Sequence, residues 1–290
     1  MIAIVWNDQD GSRYRQLSPQ TFADDLTWIP PSIQLVIEGV EPTQNPAVIQ
    51  LCEQLISPRR YAILRTNGLF RPELRQVIMR TFSETEVLLQ NPQRYSEAAW
   101  EALESHLRTF SEKRYTRVTL SVTLDDPAEN FIYLLPLLRE LKLYPVLRVR
   151  VAQDKSLTGL KALTPAIINL VSVAFGAGYK TVIEDLVVMC QFNTDQLDVL
   201  NASGTVFRFV GEGGWFRILP DGKLAHWDPA FTERWDRSSF PTPQLARRML
   251  ADREAQLRFV VPSFLACDQC LFWFNHVCQG GGLHRKRHDG

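Results

Sequence analysis

The sequence predicts an α/β fold: a partial or complete β/α barrel followed by a small cysteine-bearing C-terminal module. Three observations carry this expectation. Seven short β-type runs rich in Val, Ile and Leu alternate with helical patterns through the first two thirds of the chain. The pattern changes near residue 190, where two β-type runs flank the turn Pro220-Asp221-Gly222. Three of the five cysteines, Cys267, Cys270 and Cys278, then fall together at the C-terminal end.

The elements follow in chain order. Strand candidates lie at residues 2–6, 33–38, 61–65, 86–90, 117–124, 145–151 and 181–184. They read as nearly continuous apolar runs, the pattern of parallel strands buried on both faces. Ser18-Pro19 pairs an N-cap with a first-turn proline and opens the first helix. Asn45-Pro46 opens the second, with Val48, Ile49, Cys52, Leu55 and Ile56 on one face, and Arg71-Pro72-Glu73 starts the third. Further helices are expected at 96–113, 127–141 (kinked at Pro136) and 160–175. Strands separated by helices imply parallel βαβ units. After residue 190 a helix is expected at 194–200, β-type runs at 205–210, 215–219 and 223–227, and a last helix at 244–258. The predicted division is residues 1–190 and residues 191–290.

Composition narrows the function classes. At 290 residues, with 45% hydrophobic and 22% charged side chains, the chain can build a sizeable core. Lys plus Arg and Asp plus Glu are 32 each, which argues against a general nucleic-acid binder. The most apolar run, 166–177, is short and interrupted by Asn169 and Ser172, so no membrane partner is expected. The start, MIAIVWNDQD, has no basic segment leading into an apolar one and reads as a strand, so a cytoplasmic location is expected. There is no Walker loop, GxGxxG, GxSxG or HExxH.

The cysteines carry the chemistry. In Cys267-x2-Cys270-x7-Cys278 the short turn can aim two sulfurs at one metal centre, with a third thiolate nearby and Gly280-Gly281-Gly282 letting the backbone wrap closely. The other reading is three metal-free thiols packed among Phe264, Leu265, Phe272, Trp273 and Phe274. A tetrahedral site needs a fourth ligand, for which His276, Asp268, His284, His288 and Cys190 are the candidates. Cys52 belongs to a helical core face, and Cys190 ends an apolar run.

At this point a family resemblance emerges. CDQCLFWFNHVCQGGG resembles the end of a SPASM domain, the auxiliary iron–sulfur module of many radical SAM peptide maturases, with Gly282 where that pattern ends in cysteine. The hairpin FRILPDGKLAHW resembles the SPASM hairpin, but Val210-Gly211 and His226-Trp227 stand near its usual cysteine positions. IEGVEPTQNPAVIQLCEQL resembles the family's second strand with its Gly-Gly-Glu-Pro loop; Gly39, Glu41 and Pro42 match and Val40 departs. AILRTNG resembles the third strand and its Thr-Asn-Gly end. The resemblance implies a radical-SAM-type partial (β/α) barrel with a small C-terminal SPASM-like module. It also implies that the loop of Gly39, Glu41 and Pro42 meets the amino group of the methionine part of S-adenosylmethionine, and that Cys267, Cys270 and Cys278 hold an iron–sulfur cluster or a zinc ion.

One departure is decisive. The family carries CxxxCxxC after its first strand, holding the [4Fe–4S] cluster whose open iron initiates the radical. Here that stretch is NDQDGSRYRQL, with neither cysteine nor histidine. Asp8, Asp10, Arg13 and Arg15 cannot replace three soft ligands. The sequence therefore predicts a degenerate radical SAM/SPASM-like protein with no catalytic residues of its own and only a vestigial S-adenosylmethionine loop. Its expected role is that of partner or substrate-presenting subunit for an active radical SAM maturase of a ribosomally made precursor peptide. The alternative is a peptide-modifying enzyme using only an iron–sulfur or zinc centre at the C-terminal cysteines. Glu41 itself reads as a solvated loop carboxylate.

Overall fold

The computed structural model describes residues 1–10, 13–56, 60–113, 117–141, 143–151, 157–184, 191–208, 215–227 and 232–260. Within them one sheet organises the chain. Its parallel strands are β1 (Ile2–Asp10), β3 (Leu35–Gly39), β4 (Ala62–Thr66), β5 (Glu84–Leu89), β6 (Arg117–Leu124), β7 (Val146–Val151), β8 (Lys180–Glu184) and β9 (Val206–Arg208), side by side in that order. β2 (Arg13–Gln16) folds back antiparallel on β1. On the other side of β1 lies β10 (Phe216–Ile218), parallel to it, followed outward by the antiparallel β11 (Lys223–His226) and β12 (Arg234–Asp236).

The sheet curls into a partial barrel, and side-chain reach demonstrates it. β4 and β8 are four strand steps apart, which on a flat sheet is about 19 Å. Yet Arg65 Nη2 of β4 lies 3.9 Å from Glu184 Oε2 of β8. Two extended side chains cannot close the flat-sheet distance, so these strands face each other across a lumen.

Helices α1 (Pro19–Trp28), α2 (Val48–Ile56), α3 (Leu74–Thr81), α4 (Glu97–Lys113), α5 (Leu134–Glu140), α6 (Leu157–Gly176) and α7 (Thr194–Ala202) follow the strands and bury the main apolar core against the outer face. Ser18 caps α1 as expected, its hydroxyl accepting from Thr21 N–H, and brings Phe22 edge-on to Trp6 with ring centres 5.7 Å apart. Asn193 and Gln196 form a reciprocal capping box on α7. The last helix, α8 (Pro243–Val260), packs Ala246 and Leu250 into the same core.

The sequence expectations need correction in four places. The helix expected from residue 127 begins only at Leu134, after a 3-10 turn over Phe131–Tyr133 that the Asn130 side chain caps. Pro136 lies in its first turn, where the amide has no intrahelical partner to lose, so it demands no kink. The apolar run near residue 170 belongs to a helix of 20 residues, long and apolar enough to cross a membrane by length and composition. It instead buries Leu160, Leu163, Ile167, Leu170 and Val171 in the core. The stretch after the first expected strand at 2–6 is not a loop: β1 runs on to Asp10 and pairs with β2 as a hairpin. The strands are continuously apolar only outward; their inner face is largely charged, with a small apolar patch.

Candidate functional site at the barrel mouth and lumen

The mouth is built on one asparagine. Asn7 is completely buried. Its Nδ2 donates to the Glu41 carbonyl and, at 2.7 Å, to the Tyr14 hydroxyl; its Oδ1 accepts from Glu41 N–H at 3.1 Å. The side-chain amide thus pairs with Glu41 as a neighbouring strand would. Gly39 allows this approach: a Cβ there would stand 2.2 Å from Asn7 Oδ1 and 2.4 Å from Asn7 O. Asn45 completes the attachment, donating to the carbonyls of Trp6 at 2.9 Å and Leu17 at 3.0 Å.

Glu41 is a buried staple rather than a solvated carboxylate. It is 2% exposed. Its Oε1 accepts from Thr43 N–H (3.1 Å), Thr43 Oγ1 (2.6 Å) and Thr66 Oγ1 (2.8 Å), and its Oε2 accepts from Asn67 N–H (2.7 Å). The ends of β3 and β4, two separate motifs in the sequence, are therefore joined through one carboxylate. Pro42 is buried beside it in a 3-10 turn, Pro42–Gln44.

Where the family's cysteine loop would stand, β1 and β2 form their hairpin, pairing Asn7 with Gln16, Asp8 with Arg15 and Gln9 with Tyr14. Arg15 reaches Asp8 at 2.9 Å and, at 3.2 Å, Asp221 of the Pro220-Asp221-Gly222 turn between β10 and β11. The hairpin is thereby tied to the C-terminal part of the chain.

Below the mouth the lumen is filled with ions. Side chains alternate along a strand, so every second residue of each strand faces inward. Among them are Glu38, Arg65, Glu84 and Glu86, Thr119 and Ser121, Arg148 and Arg150, Glu184 and Arg217, on β3 through β8 and β10. Arg65 bridges Glu38 at 3.0 Å and Glu86 at 3.1 Å. Arg148 bridges Glu84 at 2.9 Å and Glu184 at 2.6 Å. Arg150 pairs with Glu86 and lies 3.7 Å from Glu184, and Arg217 lies 2.9 Å from Glu38. Burial alone would raise the Glu86 carboxyl, but Arg150, Arg65 and Arg148 together hold it down at about 2. The same burial would depress Arg65, and Glu86, Glu38 and Glu184 more than reverse it. A small apolar floor of Ala3, Val36, Ile63 and Trp227 lies on this inner face.

Of the residues singled out in the sequence, Gly39, Glu41 and Pro42 meet at the mouth. Cys267, Cys270 and Cys278, with Cys190, His276, His284 and His288, lie outside the described residues. Cys52 is core: burial pushes its thiol up to about 12. Among the described residues no group of three or more His, Cys, Asp or Glu is arranged to hold a metal ion. Sequence reasoning missed Asn7 and the whole lumen network. A signal for the network was present in Leu147-Arg148-Val149-Arg150-Val151, where charge recurs at every second residue.

No family model and no curated protein matches the sequence. Solved structures do match. The chain is 11% identical to anSMEcpe with bound AdoMet, with a TM-score of 0.61, covering 100% of this chain and 91% of that one. It is 11% identical to Streptococcus suis SuiB bound to S-adenosylmethionine, with a TM-score of 0.59, covering 96% and 72%. SuiB bound to its precursor peptide SuiA matches at 10% identity and a TM-score of 0.58, covering 98% and 70%. The fold is that of radical SAM peptide maturases. The barrel mouth of this chain, however, does not fit the cofactor that the sequence resemblance implies. Both main-chain polar groups of Glu41 are engaged by Asn7, its carboxylate is engaged by Thr43, Thr66 and Asn67, and residues 7–17 offer no soft ligand for a cluster.

Proposed function

We propose that this chain is a catalytically silent radical SAM/SPASM-like protein that supports an active radical SAM maturase, as a partner or by presenting the precursor peptide. The observation that carries the reading is Asn7. A chain-borne amide engages the backbone that, by family resemblance, would receive the methionine amino group, and it does so from a hairpin in place of the cluster loop. The solved proteins of this fold include SuiB bound to a precursor peptide, which supports peptide handling as the retained property. The reading includes a cytoplasmic location, a division near residue 190, and a SPASM-like module whose three cysteines hold an iron–sulfur cluster or zinc. Retention of the Pro220-Asp221-Gly222 turn supports that module.

The test is reductive cleavage of S-adenosylmethionine by the full chain after anaerobic iron–sulfur reconstitution and reduction. The expected result is no 5′-deoxyadenosine above a no-protein control. Its appearance would overturn the reading. Iron, sulfide and zinc contents of the same preparation separate a cluster from a structural zinc.

A further inference from the structure

At the Arg217 end of the lumen network, as at Arg148 Nε and Ser121 Oγ, buried polar atoms have no hydrogen-bond partner among the described residues. Arg217 Nε lies 2.9 Å from Glu38 Oε1 but off the line of its N–H bond, so the two form an ion pair without a hydrogen bond. None of the Arg217 nitrogens donates a hydrogen bond within the described residues. Its guanidinium lies over the ring of Trp227, 4.4 Å from the ring centre, and Arg65 lies over the same ring at 5.2 Å. Trp227 is 6% exposed, and its Nε1 has no hydrogen-bond partner among the described residues. A buried indole N–H and a guanidinium are donors only, so what completes them is an acceptor. Solvent reaches the place, since the Arg217 side chain is 35% exposed.

The charges indicate which acceptor. The ion pairs connect five arginines, Arg65, Arg117, Arg148, Arg150 and Arg217, to four glutamates, Glu38, Glu84, Glu86 and Glu184. Among the described residues the network carries one positive charge in excess, counting Arg117, whose side chain is 46% exposed and 4.0 Å from Glu84. Added there, one monoanion balances it, whereas a dianion would meet Glu38 with uncompensated charge. A planar carboxylate also matches the fork of a guanidinium. We propose that Arg217 and Trp227 form a receiving site for a single carboxylate in the lumen, with the C-terminus of a peptide as its source. Only the choice of source rests on the peptide-handling reading above.

The test titrates the full chain with two carboxylates enriched in 13C at the carboxyl carbon, acetate and N-acetyl-dialanine, and follows that carbon by NMR. N-acetyl-dialanine amide is the control. The proposal expects the peptide acid to bind at least tenfold more tightly than its amide. It expects R217Q to remove that preference, and W227F, which keeps a smaller aromatic ring and deletes the N–H, to weaken it several-fold in protein shown to be folded by its circular dichroism. Equal binding of acetate and the peptide acid would keep the carboxylate site and overturn the peptide source. Equal affinity of acid and amide, or retention of the preference in both variants, would overturn the site itself. None of these outcomes depends on S-adenosylmethionine cleavage, so the two readings fail separately.

Discussion

At the scale of single residues, the mouth depends on polar side chains that behave as backbone. Glu41 receives four donors while 2% exposed, so its removal strands buried N–H and O–H groups. Glu41→Ala is expected to destabilise the fold by about 3 kcal/mol, measured by urea unfolding. Glu41→Gln should cost less, because an amide oxygen can still serve Thr43 and Thr66 while its NH2 opposes Asn67 N–H. If both variants unfold at the parent's urea midpoint, the staple is not structural. The motif was legible in the sequence as Gly39, Glu41 and Pro42. Its partner Asn7 was not, because nothing local to an asparagine at a strand end reveals which backbone 34 residues away it will pair with.

At the scale of elements, the β1–β2 hairpin and the loop after β3 are held by close backbone approach. Gly39→Ala would place a methyl group 2.2 Å from Asn7 Oδ1, against buried chain rather than a flexible tip. The expected cost is about 1–3 kcal/mol, with hydrogen exchange of the Val40 and Glu41 amides accelerated more than that of β6 or β7. Uniform acceleration throughout the sheet would show that the loop does not open independently. The first helix was legible from Ser18 and Pro19, since a cap acts within one turn of itself, whereas the Asn193 capping box was not singled out and Pro136 suggested a kink that is not required. The hairpin escaped because Asp8, Gln9, Tyr14 and Arg15 carry no apolar alternation; cross-strand pairing and Arg15–Asp221 hold it instead.

At the scale of the whole molecule, the lumen network ties β3, β4, β5, β7, β8 and β10 together through ion pairs rather than apolar packing. Such pairs stabilise little relative to a well-packed apolar core, but removing one partner leaves a buried uncompensated charge. Arg148→Met is therefore expected to cost about 3–5 kcal/mol, because Glu84 and Glu184 both lose their nearest guanidinium. The pH dependence follows from Glu86, whose carboxyl is held at about 2 in the fold against an ordinary 4.5. A depressed carboxyl contributes stability that is fully present above about 4.5 and is lost as the pH falls from there through about 2. The urea midpoint should be lower at pH 4 than at pH 6 and lower again at pH 3, and a level series would show that Glu86 is not held ionised by its arginines.

By itself the sequence determined the alternation of strands and helices, the caps, the loop of Gly39, Glu41 and Pro42, and the missing thiolates of residues 7–17. These are properties of neighbours in the chain: periodicity, turn chemistry, and the presence or absence of a ligand type. Only the tertiary structure decided that Asn7 engages the Glu41 backbone, that Glu41 fastens β3 to β4, and that Glu38, Glu84, Glu86 and Glu184 meet five arginines. Each of those facts joins residues from distant segments. An isolated arginine on a strand reads as solvent-facing until the sheet curls. Curling brings Arg65 of β4 within 3.9 Å of Glu184 of β8, and that distance depends on the accumulated twist and tilt of every strand between them.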